Sequence, residues 1–340
     1  MNKKYDLVVY IGRFQPFHNA HYEILCRAKA LANKVVLIIG SAEQPRTYKN
    51  PFTDYERKMI MIADWEVTMH CIKDSMYNDQ AWAIRVQEAV SKSVYNNFDS
   101  EENLKIGIIG HEKDESSFYL KMFPQWDHID VECIEPLHST DIRDLYFRKD
   151  ANMNFIKGVV PENVFEFLKN FKDTADYEQI IREREFIIDY KKQFASCPYP
   201  PTFVTTDAVV IQSGHVLMIK RRAEPGRGLW AIPGGFLNAA TDKSIVDCMV
   251  RELKEETGIK VPVPVLVGSI KDNRVFDAIG RSTRGRTITH AFKIVLPDGE
   301  LPKVKGMDDA EKAQWIPIGE LQSRECYEDH YEIISYFVGA

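Results

Sequence analysis

The chain has 340 residues, of which 44% are hydrophobic and 28% charged, a composition typical of a globular protein with room for two cores. Its formal net charge of −6 provides no basic field, which argues against a general nucleic-acid binder. The sequence shows no apolar run of membrane-spanning length and no signal-peptide core, and its six cysteines form no C-x-x-C pair, so we expect a cytoplasmic protein with reduced thiols.

Apolar runs alternate with helical patterns in the first half of the chain. Strands are predicted at 7–11, 35–40, 67–72, 106–109 and 129–134. Helices are predicted at 21–32 and 81–94, and Thr53 and Glu56 form a capping box that begins another helix. This alternation predicts an α/β fold with a doubly wound parallel sheet, which binds ligands at the carboxyl ends of its strands.

The segment 12–21 lies between the first predicted strand and the first predicted helix. Gly12 permits close approach of a ligand to the backbone, while His18 and His21 can both donate to phosphate oxygens from one side of the first helical turn. A helix N-terminus adds unpaired N–H groups and partial positive charge. The segment therefore predicts a phosphate site.

A second segment of the same chemical kind, 138–143, follows the last predicted strand of this half. Ser139 or Thr140 can cap the next helix and donate to phosphate, and Arg143 can make a forked, charge-assisted contact one turn later. A plain capped helix is the alternative for this segment alone. We expect the two segments to converge on a single triphosphate.

Together with segments 40–44 and 50–57, these motifs resemble the archaeal-type nicotinamide mononucleotide (NMN) adenylyltransferases, over roughly residues 1–170. The resemblance implies a catalytic group that holds the phosphates of ATP, formed by Arg13, His18, His21 and Arg143. It also implies a set of residues that bind ATP or NMN, formed by Gly12, Phe14, Gln15, Arg46, Lys49, Asn78, Trp82, Ser139 and Thr140. Trp82 would stack on the nicotinamide, and core packing is the alternative for this side chain.

The composition of the chain changes after a charged helical pattern at 173–194 and a proline-rich stretch at 197–201. We predict a domain at 1–172, a helical linker at 173–200 and a second domain at 201–340. In the second domain, strands are predicted at 203–211, 216–219, 265–270 and 287–296, and helices at 244–257 and 328–337. This pattern predicts an α+β domain with a mixed sheet.

Three glutamates of the second domain, Glu252, Glu255 and Glu256, share one face of the predicted helix 244–257. Like charges at this spacing cost about a few tenths of a kcal/mol per pair, which a bound cation such as Mg²⁺ reverses. A solvated acidic face is the alternative for the glutamates alone. The preceding Pro-Gly-Gly turn at 233–235 and the neighbouring Arg251 favour a metal site.

These residues resemble the Nudix box, and the resemblance covers about residues 200–340. It implies that Glu252, Glu255 and Glu256 bind Mg²⁺, with Mn²⁺ as an alternative, that Arg251 orients them, and that Glu256 and Arg251 are catalytic. Arg284 and Arg286 lie in a segment that resembles Nudix domains attached to NMN adenylyltransferases, where they would contact the diphosphate of ADP-ribose. Solvation of a strand end is the alternative for these two arginines.

The Nudix resemblance has two departures. The loop between Gly235 and Arg251 is longer than usual, and Lys243 stands where a glutamate is expected, with Asp242 beside it. A weakened or lost hydrolysis would follow from the missing glutamate. Candidates for a supplementary carboxylate follow in the sequence at Asp308, Asp309 and Glu311.

The pair of domains resembles bifunctional NMN adenylyltransferase and Nudix hydrolase (ADP-ribose pyrophosphatase) proteins. The implied function is NAD synthesis from ATP and NMN with release of pyrophosphate, together with Mg²⁺-dependent hydrolysis of ADP-ribose to AMP and ribose 5-phosphate. Two alternatives remain open at this point: a second domain that senses ADP-ribose or NAD without hydrolysis, which Lys243 favours, and a first domain that adenylylates another phosphate substrate. We expect small-molecule partners and neither nucleic acid nor membrane, and we leave open a homo-oligomer and the use of nicotinic acid mononucleotide.

Overall fold

The computed structural model describes residues 3–61, 67–98, 103–111, 115–131 and 138–339, and only the backbone of 115–117. Contacts divide the chain into two compact units, Met1–Ile181 and Arg182–Ala340. This division lies inside one long helix, within the segment 173–200 that the sequence predicts as a linker. The boundaries 1–172 and 201–340 stay predictions. In the described part of the chain, no helix is both long enough and apolar enough to cross a bilayer.

The first unit has a five-stranded sheet in the order β3-β2-β1-β4-β5, in which all neighbouring strands are parallel. Its described elements are β1 (Tyr5–Gly12), α1 (Asn19–Leu31), β2 (Ala32–Ile39), α2 (Asp54–Ile60), β3 (Val67–Cys71), α3 (Asp79–Asn97), β4 (Ile106–Gly110), a 3₁₀ helix (Glu115–Met122), β5 (Asp127–Asp130), α4 (Ser139–Tyr146), α5 (Met153–Val159), α6 (Glu162–Phe171) and α7 (Ala175–Lys192), which continues into the second unit. The predicted doubly wound α/β fold is confirmed. The predicted strand 129–134 begins earlier than expected, and residues 132–137 lie outside the described residues.

The apolar side chains of β1 alternate between two cores, one on each face of the sheet. Leu7 and Val9 join a cluster with Val90 of α3, whereas Val8 joins a cluster with Leu25 of α1. Side chains of a strand point alternately to opposite faces, so a strand covered on both faces is apolar throughout. This burial fixes the carboxyl end of β1, where the segment 12–21 begins.

The second unit has a seven-stranded mixed sheet in the order β10-β11-β6-β7-β12, with β8 on β7 and β9 on β6. Its further elements are β6 (Thr202–Gln212), β7 (His215–Arg221), β8 (Trp230–Ala231), β9 (Gly234–Phe236), α8 (Ile245–Thr257), α9 (Val263–Gly268), β10 (Ile270–Phe276), β11 (Arg286–Val295), β12 (Ala310–Pro317), two 3₁₀ turns (Ile318–Glu320 and Ser323–Glu325) and α10 (His330–Val338). Strands β6 and β11 pair in parallel, and the other pairs are antiparallel. The predicted α+β domain with a mixed sheet is confirmed.

One predicted element of the second unit is wrong. The run 265–270 was expected as a strand because valine favours strands, but α9 covers Val263–Gly268 and the strand begins only at Ile270. Pro262 caps this helix and Pro264 lies in its first turn, where the fixed φ and missing N–H of proline are compatible with a helix. Leu266 is fully buried in the core that α8 also forms.

Candidate active sites

The two phosphate segments of the first unit meet near the carboxyl end of β1. Arg143 Nη1 donates to the carbonyl oxygen of Gln15 at 2.7 Å, and Ser139 Oγ donates to the carbonyl oxygen of Pro16 at 3.2 Å. The two segments therefore lie together, and their convergence on a triphosphate stays a prediction. Thr140 adds a hydroxyl that accepts from Arg143 Nη2 at 3.1 Å.

Arg143 is a buried cation at this point of convergence. Its side chain lies in the interior, and its Nε is a buried donor that has no hydrogen-bond partner among the described residues. Burial lowers the pKa of Arg143 to about 10, which leaves the guanidinium charged at neutral pH. Because buried polar groups are usually hydrogen-bonded, the unpartnered donor suits an anionic ligand.

The histidine pair lies at the N-terminus of α1. His18 is the N-cap residue, its backbone N–H donates to Nδ1 of His21 at 3.3 Å, and the two rings stack with centroids 3.6 Å apart. Burial lowers the pKa of His18 to about 4, and the nearby His138 acts in the same direction. His18 is therefore neutral at pH 7. Because His21 accepts at Nδ1, a neutral ring carries its proton on Nε2.

Arg13 lies on the solvent side of the same region and is held by its neighbours. Its Nε donates to Ser41 Oγ at 3.0 Å, and its Nη2 donates to Asn50 Oδ1 and to the carbonyl oxygen of Lys49. Ser41 in turn donates to Asp74 from its backbone N–H at 2.9 Å and from its hydroxyl at 2.5 Å. The sequence analysis missed Asp74, whose position just after β3 is the available signal.

Two side chains that were predicted to bind a ligand instead have partners in the core. Gln15 is buried and exchanges two hydrogen bonds with the backbone of Phe52, at 2.8 and 3.0 Å. Phe14 is buried with a φ of 52°, and its ring lies so close to Gly12 that a Cβ there would be 2.5 Å from it. The glycine is thus required by Phe14, and ligand contacts of Gly12, Phe14 and Gln15 stay predictions.

Arg46 likewise has protein partners. It donates to both carboxylate oxygens of Glu56 at 2.9 Å, and its Nε lies 3.0 Å from Asp176. A phosphate would have to compete with these carboxylates, so the contact of Arg46 with ATP stays a prediction. Lys49 contributes the carbonyl group that accepts from Arg13, and a contact of its ammonium with ATP is also untested.

The predicted nicotinamide site lies at the start of α3. Asn78 is the N-cap residue and accepts from the backbone N–H of Ala81 at 3.0 Å. Trp82 is half-buried and meets Tyr119 edge-to-face, with centroids 6.0 Å apart, and it packs against Phe123. The Trp82 ring is thus fixed from the core side, and stacking on a ligand stays a prediction.

Helix α8 carries the three predicted metal ligands of the second unit. Ser244 caps its N-terminus by accepting from Asp247 N, and Gly258 ends it with a φ of 59°. Val250 and Leu253 are buried in the core, which fixes the rotation of the helix. A neighbouring side faces a cavity of about 370 Å³ that is lined by Glu252, Glu255 and Glu256 among others.

Glu256 lies deepest of the three glutamates. Only 6% of its surface is exposed, and it accepts a hydrogen bond from the backbone N–H of Gly234 at 2.8 Å. Burial raises the pKa of its carboxyl group to about 8. A cation in the cavity would favour the ionised form and lower this pKa.

Arg251 binds three carboxylates next to Glu256. Its Nε and Nη2 each donate to one carboxylate oxygen of Asp242 at 2.8 Å, and its Nη1 donates to Glu252 at 2.8 Å and to Glu255 at 2.9 Å. The guanidinium holds the pKa of Asp242 well below its usual range. Lys243 is exposed, so Asp242 supplies the carboxylate that the sequence analysis expected to be missing. A carboxylate is therefore present beside Arg251 despite Lys243.

The carboxylate oxygens are suitable ligands for a divalent cation such as Mg²⁺, but their side chains are not arranged around a common metal position. Within the ranges that the structure describes, no three His, Cys, Asp or Glu side chains form a ready metal-binding group. Arg251 holds Glu252 and Glu255, and the N–H of Gly234 holds Glu256. Since Mg²⁺ prefers carboxylate oxygens, these residues could hold it after their present hydrogen bonds rearrange.

The two arginines predicted to bind ADP-ribose have different surroundings. Arg284 lines the cavity with its guanidinium 4.8 Å from the centroid of Phe236, and its buried Nε has no hydrogen-bond partner among the described residues. Arg286 instead donates to the carbonyl oxygen of Asp277 and is not among the described residues that line the cavity. The diphosphate contact is thus better supported for Arg284 than for Arg286.

Further acidic groups lie around the same cavity. Asp308 and Asp309 line it, whereas Glu311 is exposed and is not among its described lining residues. Asp207 and Glu328 also line it and were missed by the sequence analysis. Asp207 lies on the buried strand β6, and the only signal for it is a carboxylate within an apolar run.

A buried ion pair at the edge of the same cavity was also missed. Arg281 and Asp329 are both nearly inaccessible and form two hydrogen bonds of 2.8 and 2.9 Å. The adjacent His330 accepts at Nδ1 from the backbone N–H of Ile232 at 2.8 Å, which ties the start of α10 to the segment between β8 and β9. These partners lie far apart in the sequence, so no local pattern announces them.

Comparisons with known proteins agree with this geometry. Residues 9–145 match the Cytidylyltransferase-like family, and residues 201–337 match the NUDIX domain family. The nicotinamide/nicotinic acid mononucleotide adenylyltransferase of Acinetobacter baylyi is 36% identical over 183 residues, which are 52% of this chain and 92% of that protein. The ADP-ribose pyrophosphatase of Methanocaldococcus jannaschii is 32% identical over 135 residues, which are 40% of this chain and 72% of that protein.

A solved structure resembles the whole chain. The bifunctional NMN adenylyltransferase/ADP ribose pyrophosphatase of Francisella tularensis, complexed with AMP and a manganese ion, superimposes with a TM-score of 0.88 and 33% identity. The match covers 98% of this chain and 99% of that one. This chain belongs to the same bifunctional family. A nucleotidyltransferase domain followed by a Nudix domain, as the sequence analysis expected, is thereby confirmed.

Proposed function

We propose that the chain is a bifunctional enzyme of NAD metabolism. Its first unit makes NAD by adenylyl transfer from ATP to NMN, and its second unit hydrolyses ADP-ribose to AMP and ribose 5-phosphate. The first activity is supported mainly by the convergence of Arg143 with the segment that carries Arg13, His18 and His21. The second is supported mainly by the carboxylate face of α8, which lines a cavity together with Arg251 and Arg284.

Adenylyl transfer needs charge stabilisation more than it needs a base. A phosphate oxygen of NMN attacks the α-phosphorus of ATP, the bond from that phosphorus to the bridging oxygen breaks, and pyrophosphate leaves. The attacking phosphate is already ionised, so the protein contributes mainly by positioning the groups and by stabilising developing negative charge. Arg13, Arg143, His18 and His21 are the donors proposed for this task, and Trp82 is proposed to stack on the nicotinamide.

Hydrolysis in the second unit needs an activated water. Water attacks one phosphorus of the diphosphate, the P–O–P bond breaks, and AMP and ribose 5-phosphate leave. A divalent cation, proposed as Mg²⁺ with Mn²⁺ as an alternative, would lower the pKa of the attacking water and neutralise charge on the diphosphate. Glu252, Glu255 and Glu256 would hold it, Arg251 orients these carboxylates, and Arg284 donates to the diphosphate.

Two product assays test the proposal. The purified chain with NMN, ATP and Mg²⁺ is expected to produce NAD and pyrophosphate in equal amounts, and the absence of both would refute the first activity. A parallel reaction with nicotinic acid mononucleotide decides whether that substrate is also used. A panel with flavin and pantetheine phosphates tests the alternative substrates.

For the second unit, ADP-ribose with Mg²⁺ or Mn²⁺ is expected to give AMP and ribose 5-phosphate. Glu256→Gln should lower turnover by orders of magnitude while ADP-ribose still binds, as measured by calorimetry. An unchanged ADP-ribose peak with the unmodified chain would instead indicate a domain that binds without hydrolysis. The oligomeric state, the cytoplasmic location and the absence of nucleic-acid partners stay predictions of the sequence.

A further inference from the structure

Arg57 is a buried cation of the first unit whose hydrogen-bond partners are backbone carbonyl groups. Only 1% of its surface is exposed, although it lies on the short helix α2. Its Nη1 donates to the carbonyl oxygens of Arg13 at 2.5 Å and Gly40 at 2.7 Å, and its Nη2 donates to that of Ser41 at 2.8 Å. Among the described residues, no carboxylate forms an ion pair with it.

These three carbonyl groups belong to the chain just after β1 and just after β2. In a parallel sheet, the carboxyl ends of adjacent strands form the edge where ligands bind. A carbonyl oxygen that faced a triphosphate would repel it. Because Arg57 binds these oxygens from the interior, the carbonyl groups are turned away from the side on which Arg13 presents its guanidinium.

The contacts of Arg57 close a ring of hydrogen bonds with Arg13 and Ser41. Arg57 binds the carbonyl oxygens of both residues, and the Arg13 side chain donates to the Ser41 hydroxyl at 3.0 Å. Asp74 also holds Ser41 through two further hydrogen bonds. The position of the exposed Arg13 guanidinium therefore depends on a guanidinium that solvent does not reach.

We propose that Arg57 is a positioning residue for adenylyl transfer, which holds the ends of β1 and β2 in the conformation that binds the triphosphate of ATP without touching ATP itself. This inference rests on the proposed function of the first unit. Burial lowers the pKa of Arg57 to about 10, so the group remains a cation at neutral pH and adds positive potential beneath the site. The planar fork of arginine suits several oxygens at once, which the single ammonium of lysine does not reproduce.

The test compares Arg57→Lys with Ser41→Ala. The Arg57→Lys variant keeps the positive charge but loses the planar guanidinium that donates to several carbonyl groups. The Ser41→Ala variant keeps Arg57 but removes the hydroxyl that binds Arg13. The measurements are KM for ATP, KM for NMN, kcat, and ATP affinity by calorimetry. ADP-ribose hydrolysis by the same polypeptide normalises the enzyme concentration, and circular dichroism checks the fold.

Val94→Ala is the matched control for a purely structural effect. Val94 is buried in the cluster on the opposite face of the sheet, so its truncation destabilises the unit without removing a hydrogen bond of the ring. A residue with only a structural role lowers the melting temperature and the active fraction but leaves KM unchanged. The control should therefore keep both KM values within twofold of those of the unmodified chain.

We expect Arg57→Lys to raise KM and Kd for ATP at least tenfold and Ser41→Ala to raise them at least threefold, with KM for NMN within twofold. Normal ATP affinity in a folded Arg57→Lys variant would overturn the proposal, as would equal rises in KM for both substrates. If Arg57→Lys does not fold, Ser41→Ala decides, because unchanged ATP affinity there shows that the ring does not position Arg13. An unmodified chain that makes no NAD would contradict the proposed function, a separate result.

Discussion

The family pattern expects a glutamate at position 243, but the carboxylate that contacts Arg251 comes from Asp242. The longer loop between Gly235 and Arg251 brings this carboxylate onto the guanidinium of Arg251, and the side chain of Lys243 points to solvent. A bidentate pair fixes both the position and the plane of Arg251. The same guanidinium holds Glu252 and Glu255, so the geometry of the acidic face depends on Asp242.

Replacement of Asp242 should therefore impair hydrolysis although this residue is not a proposed metal ligand. We expect Asp242→Asn to lower kcat/KM for ADP-ribose by about 10- to 100-fold, the usual effect of losing a group that orients metal ligands. The matched control, Lys243→Ala, should stay within twofold. Initial rates at several Mg²⁺ concentrations measure both, and equal losses in the two variants would contradict the assigned role of Asp242.

His18 makes the stability of the first unit depend on pH. Its pKa is about 4 in the folded chain and 6.5 when exposed, so the unfolded chain binds more protons between these values. The free energy of unfolding is therefore not reduced by His18 above pH 6.5, and it decreases as the pH falls from 6.5 toward 4. The contribution of His18 amounts to about 2 kcal/mol lost at pH 5.

Denaturant unfolding at pH 7.5 and pH 5, with and without His18→Gln, measures this effect. Glutamine stays neutral, so the variant should lose less stability than the unmodified chain when the pH is lowered. His330, whose pKa burial lowers to about 3, should produce the same trend in the second unit and serves as an internal comparison. An identical pH dependence in the His18 variant would show that this histidine does not titrate as expected.

At the scale of elements, the strands and helices with clear periodicity could be predicted, and those defined by distant partners could not. The strand at 7–11 and the helix at 244–257 follow from apolar runs, capping residues and a terminal glycine. The strands β8 and β9, of two and three residues, are too short to show a period. Helix α9 was missed because prolines outweighed the strand preference of valine.

The same distinction applies to the sites. Motif residues such as His18 and Arg143 could be predicted because each motif is contiguous in the sequence. Arg57 and Asp74 could not be assigned roles, because the partners that define those roles lie 16 or more residues away in the chain and become visible only when the strands are assembled. The structural partners of Gln15 and Arg46 were unforeseen for the same reason.

The packing of β9 against α8 leads to a prediction about adjacent glycines. A Cβ on Gly234 would lie 2.1 Å from the carbonyl oxygen of Thr206, which is backbone, whereas a Cβ on Gly235 would meet the Glu252 carboxylate at 2.6 Å. Backbone has little freedom to yield, but a carboxylate can rotate. Gly234→Ala should therefore lower the melting temperature of the second unit, while Gly235→Ala should mainly displace Glu252.

Thermal unfolding and ADP-ribose hydrolysis distinguish the two effects. We expect Gly235→Ala to retain a melting temperature within a few degrees of the unmodified chain and to lose at least about tenfold in kcat/KM. Gly234→Ala should unfold at clearly lower temperature and serves as the matched comparison. Full hydrolysis by a folded Gly235→Ala variant would show that the position of Glu252 tolerates this displacement.

At the scale of the whole molecule, each candidate site draws its described residues from one unit. Arg13, His18 and Arg143 belong to Met1–Ile181, and Arg251 and Glu256 belong to Arg182–Ala340. The hydrogen bonds reported above for each of these residues also stay within its own unit. Effects of substitutions at independent sites add, whereas residues in one network couple.

The two activities should therefore respond separately to substitution. We expect Arg143→Ala to lower NAD synthesis at least about a hundredfold, since it removes a donor aimed at developing charge, and to leave ADP-ribose hydrolysis within twofold. Glu256→Gln should do the reverse, and the double variant should show each loss unchanged. Both rates are measured on the same preparations, so loss of folded protein would lower them together and be recognised. A loss in one rate that depends on the substitution in the other unit would mean that the sites communicate, and the additive description would then have to be replaced by a coupling free energy between them.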